Sequence, residues 1–71
     1  MAKVIYLKPG ERPPTKGYVL VVGVRGLRNE SIETSRLRTT IRVNADDLDR
    51  TASRLAEKDE TGLGTIYVRR P

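Results

Sequence analysis

The chain contains no cysteine and no histidine, which rules out disulfide stapling and leaves a zinc-type centre without its usual ligands. Phe and Trp are also absent, and the aromatic inventory is three Tyr, which argues against the sheet-based RNA readers that stack bases on two or three rings. No apolar run approaches the roughly 18 residues of a membrane span. The first short run, ending at Leu7 before Lys8-Pro9-Gly10, is too short for a secretory core. These absences lead to the expectation of a soluble cytoplasmic protein with no membrane partner, no metal and no cofactor.

The inventory bears on catalysis as well. Without His or Cys, acid–base or nucleophilic work would fall to Asp, Glu, Lys, Tyr, Ser or Thr. The densest carboxylate group is Asp46, Asp47 and Asp49. These lie where a helix is expected to begin, and three acids there are what the positive end of a helix dipole favours without further purpose. The chain is therefore expected not to be an enzyme.

What is present begins with Tyr18-Val19-Leu20-Val21-Val22-Gly23-Val24. It is apolar at odd and even positions alike, the pattern of a strand with neither face turned to water. Seventy-one residues make one domain, residues 1–71, near the size at which a single core only just outweighs chain entropy. With one good helical segment to cover one face, the second face calls for another copy, a partner or a ligand. Oligomerisation is the staple that remains to so small a chain.

Along the chain, residues 3–7 read as a first strand. Lys8 to Gly17, with three prolines, reads as a stiff connection; Pro13-Pro14 lacks the P-x-x-P spacing of a docking ligand. Tyr18 to Arg25 is the second strand, closed by Gly26, and Leu27 to Ser35 is polar enough for a loop. Arg36 to Val43 alternates cleanly, with Leu37, Thr39, Ile41 and Val43 on one face and Arg36, Arg38, Thr40 and Arg42 on the other. Asn44 suits a helix N-cap. Ala45, Leu48, Ala52, Leu55 and Ala56 recur at helical spacing up to about Lys58, with Gly62 as the residue ending the helix. Leu63 to Arg69 closes the chain as a strand. The expected fold is α+β in the order β-β-β-α-β, a mainly antiparallel sheet with one helix packed on Leu20, Val22, Val24, Leu37, Ile41, Val43, Ile66 and Val68.

Charge is distributed unevenly. The chain carries +5 overall, with +6 in residues 1–43, −3 in residues 44–60 and +2 beyond. The basic charge thus belongs to strands and loops and the acidic charge to the helix. A basic sheet face is compatible with a polyanion such as nucleic acid, or with an acidic protein. Arg also serves on solvent-facing strands by covering apolar neighbours with its stem and discouraging edge-to-edge aggregation. Gly23-Val24-Arg25-Gly26 has the spacing of a KH clamp but ends a strand instead of joining two helices.

The leading expectation is a non-catalytic binding and assembly module that forms a homodimer through its sheet, with Val19 and Val21 on the self-associating face. The alternative is a nucleic-acid-binding domain, weak and largely non-specific, that uses Arg25, Arg36, Arg38, Arg42 and Arg69 with Tyr67 as a stacking residue.

Overall fold

In the computed structural model, which describes residues 1–71, the elements are β1 (Lys3–Tyr6), β2 (Tyr18–Val24), β3 (Ser31–Ser35), β4 (Arg38–Asn44), a short 3-10 turn (Ala45–Asp47), α1 (Leu48–Lys58) and β5 (Thr65–Arg69). All five strands form one sheet in the order β1-β5-β2-β4-β3. β2 lies at its centre, as a strand that is apolar on both faces should.

The α+β class holds, but the expected antiparallel sheet does not. β1 pairs parallel with β5, β2 pairs parallel with both β5 and β4, and only the β3–β4 pair is antiparallel. The sheet is mixed and mostly parallel. Side-chain alternation along a strand is the same whichever way the strand runs, so direction follows from the paths of the connections. Here residues 7–17 carry the chain from β1 across β5 to β2, and α1 carries it from β4 across β2 to β5.

Residues 31–35, expected as loop, form β3. The strand was hidden because all five of its residues are exposed and it therefore has no apolar face to show. A two-residue turn at Arg36-Leu37 joins it to β4, with Arg36 at φ 52°. Leu37 is thereby placed in a turn at 72% exposure, not in the core.

The core lies between the sheet and α1. It unites Val19, Val21, Ile41, Val43, Ile66 and Val68 with Leu48, Ala52 and Ala56. Ile41, Val43, Ile66 and Val68 face the helix as expected, but β2 is turned over. Val19 and Val21, expected on the opposite face, lie beneath α1, while Leu20 and Val22 point away from it. Apolar residues at every position carry no alternation, so parity had to be set by something else. Gly23 favours the observed one. It shares a face with Val19 and Val21, and a Cβ built there would lie 2.8 Å from Leu48 Cδ2, so the glycine makes room for Leu48 on this face.

Asn44 caps as expected, but it caps the 3-10 turn: its side-chain oxygen accepts from Asp46 N at 2.8 Å. Its amide donates to Leu27 O at 3.0 Å and so pins the β2–β3 connection. The helix ends at Asp59, in the left-handed region at φ 40°, whose N–H donates to Leu55 O. Asp tolerates that conformation, and Gly62, expected in this role, lies three residues further on.

Candidate nucleic-acid interface

The face of the sheet away from α1 divides in two. Over β5 the chain's own connection covers it. Pro9-Gly10 makes a turn in which Glu11 N donates to Lys8 O at 2.9 Å, with Gly10 at φ 79°, the positive angle that the second central residue of a type II turn requires. The turn is reinforced because Lys8 N donates to the Glu11 carboxylate at 2.8 Å. Arg69 then donates from Nη2 to Glu11 O at 3.0 Å and holds the connection against β5. Beneath it Leu7, Leu20 and Tyr67 form a second, smaller cluster, with Tyr18 and Val22 against it.

Over β2 and β4 the face stays open as a trough of about 800 Å³. Leu20, Val22 and Thr40 form its floor, in one register across the two strands. Arg12 and Lys16 of the connection line one side, Arg36, Arg38 and Arg42 line the other, and Arg69 completes it. Six of the fourteen Lys and Arg residues thus converge on one surface, and no carboxylate is among the lining residues. Two of the six are occupied. Arg42 pairs with Glu33 of β3 at 2.6 Å, and Arg69 holds Glu11 O while its Nε is enclosed without a partner. Arg12, Lys16, Arg36 and Arg38 are exposed and have no ion pair.

Of the candidate residues, Arg36, Arg38, Arg42 and Arg69 are brought together, while Arg25 lies in the turn after β2 and does not line the trough. Tyr67 is on this face but at 5% exposure beneath Leu7 and Leu20, which leaves its ring no surface for stacking. Val19 and Val21 are enclosed in the opposite layer. Arg12 and Lys16 were missed. They sit in a connection without periodicity, and only the crossing of that connection over the sheet brings them opposite β4.

On the α1 side of β1, Tyr6 Oη donates to Asp49 Oδ1 at 2.5 Å. Arg70 lies 4.6 Å over the Tyr6 ring and 3.5 Å from the same carboxylate. The Asp49 hydrogen bond, with smaller contributions from burial and the Asp49 charge, raises the Tyr6 pKa, and Arg70 opposes the shift. Asp47 pairs with Arg50. Asp47 and Asp49, two of the three helix-start acids, are thus engaged with side chains of this chain.

The architecture defines a class: a small α+β domain whose mixed sheet carries one helix on one face and an open basic trough on the other. No family model, curated protein or solved structure matches the chain.

Proposed function

We propose that this is a non-catalytic binding module whose trough takes the backbone of a single-stranded nucleic acid, with little discrimination of sequence. The observation that supports this reading most is the set of four unpaired cations, Arg12, Lys16, Arg36 and Arg38, facing one another across an aliphatic floor with no acid among the lining residues. Phosphates meet charge on either side, and the half-buried Val22 and Thr40 leave the floor between them some surface for a base. Phosphate contacts position a ligand but carry no sequence information. With Tyr67 enclosed, Tyr18 is the one aromatic that lines the trough, short of the two or three exposed rings of sequence readers.

The test is fluorescence anisotropy with single-stranded RNA, single-stranded DNA and duplex DNA over a salt series. Each neutralised phosphate contributes about −0.7 to the slope of log affinity against log salt on single strands. Four free cations therefore lead to a slope of about −3, with a dissociation constant of about 10⁻⁴ to 10⁻⁶ M at physiological salt. Replacing Arg36 and Arg38 together by Gln is expected to halve that slope, whereas Arg42→Gln, which removes a cation already paired with Glu33, changes it less. Absence of binding at low salt would defeat the reading. Equal affinity for polyaspartate would move it from nucleic acid to acidic chains in general.

A further inference from the structure

β3 is an edge strand, and its outer side pairs with nothing. Proteins normally protect such an edge with Lys, Pro, a bulge or a covering loop. β1, the opposite edge, carries Lys3. β3 reads Ser-Ile-Glu-Thr-Ser, has no Lys or Pro, is regularly paired to β4 along all five residues, and is exposed throughout. Its one charged residue, Glu33, is neutralised by Arg42 of the same chain. The strand itself therefore sets no unpaired charge against a second copy.

The residues also choose a register. Two antiparallel copies of β3 related by a two-fold axis place one residue opposite itself. An axis at Glu33 would set like carboxylates directly against each other, which is unfavourable. An axis at Ile32 instead sets Ile32 against Ile32 of the second copy, and Glu33 against the Ser31 hydroxyl. Ile32 points to the α1 side, opposite Ile41, but lies beyond the reach of the helix and is 60% exposed. The self-pairing covers it.

We infer that the chain forms a two-fold dimer through β3, centred on Ile32, which continues the sheet across both copies and sets their two troughs on the same face. This goes beyond the nucleic-acid reading, because β3 and the trough are tested separately. The unpaired backbone groups of the edge and the exposed Ile32 supply the contact, and the axis stands perpendicular to the sheet.

Sedimentation equilibrium at millimolar protein is expected to give twice the 8.0 kDa of the chain, and Ile32→Lys, which opposes two cations at the axis, is expected to give the monomer with an unchanged far-ultraviolet circular dichroism spectrum. With no native cysteine, a short bismaleimide on Ile32→Cys reports the axis. Its cross-linking is expected to exceed that of Leu37→Cys, a more exposed position away from the axis, on the order of a hundredfold at micromolar protein, the ratio set by the effective concentration within a complex. A mass of 8.0 kDa at every concentration, a dimer that survives Ile32→Lys, or equal cross-linking at the two positions would each overturn the inference.

Discussion

Val21 and Val22 are identical neighbours with opposite fates. Val21 is fully enclosed between β2 and α1, whereas Val22 lies on the floor of the open trough. Truncating a buried aliphatic side chain removes transfer free energy and leaves a cavity, so Val21→Ala is expected to cost about 2 kcal/mol and Val22→Ala clearly less. Urea unfolding of the two variants measures the difference, and equal losses would mean that Val21 and Val22 are equally buried. Gly23 has a different constraint. Leu48, whose Cδ2 occupies the space a Cβ would need, is itself 1% exposed and has nowhere to swing. Gly23→Ala is therefore expected to destabilise by roughly 1–3 kcal/mol through overpacking, measurable in the same unfolding experiment. The loss would arise without any left-handed backbone angle at this position, since only Gly10, Gly26, Gly62 and Gly64 among the glycines have positive φ.

Among the elements, β1 is held by ties beyond its pairing in the sheet. As a short edge strand it has one hydrogen-bonded neighbour, β5, and it is anchored to α1 at both ends. Ala2 N donates to Ala56 O at 2.7 Å, and Tyr6 donates to Asp49. The raised Tyr6 pKa has a definite sign in stability. The folded state favours the neutral phenol, so the contribution of this bond is fully present below the unfolded tyrosine pKa of about 10 and is lost as pH rises through the higher folded value. Tyr6→Phe is expected to lower the melting temperature at neutral pH and to flatten the fall in stability above about pH 10. A pH series of thermal melts tests it: an unchanged alkaline fall in the variant would assign that fall to other groups. The connection of residues 8–17 is the other informative element. A stiff segment with three prolines loses little entropy when it is laid across the sheet, and it covers the β5 part of the face that otherwise called for a partner.

At the level of the whole molecule, the two proposed surfaces are expected to respond to salt in opposite senses. Binding in the trough would release counterions from the nucleic acid and weaken as salt rises. Pairing through β3 would bring together two chains of net charge +5, whose repulsion is screened by salt, so it would strengthen. Affinity for a single strand and dimer content measured over one salt series therefore separate the two, and either can fail without the other. No helix is long and apolar enough to cross a membrane.

By itself the sequence determined that this is one small α+β domain with a buried two-sided strand at Tyr18–Val24. It also located the small-residue stripe of α1, the Asn44 cap and the arginine-bearing face of β4, because each is written as local periodicity or local capping chemistry. It placed Ile41, Val43, Ile66 and Val68 in the core for the same reason: their polar neighbours alternate with them. Strand direction, the existence of β3 and the parity of β2 were decided only in three dimensions. Direction depends on where connections cross, an exposed polar edge strand has no apolar period, and seven consecutive apolar or glycine positions do not say which face a helix will take. The trough belongs to that second group. Its β4 side can be read from Arg36, Arg38 and Arg42, but Arg12 and Lys16 face them only because a proline-stiffened connection crosses between two parallel strands on the side that α1 leaves free.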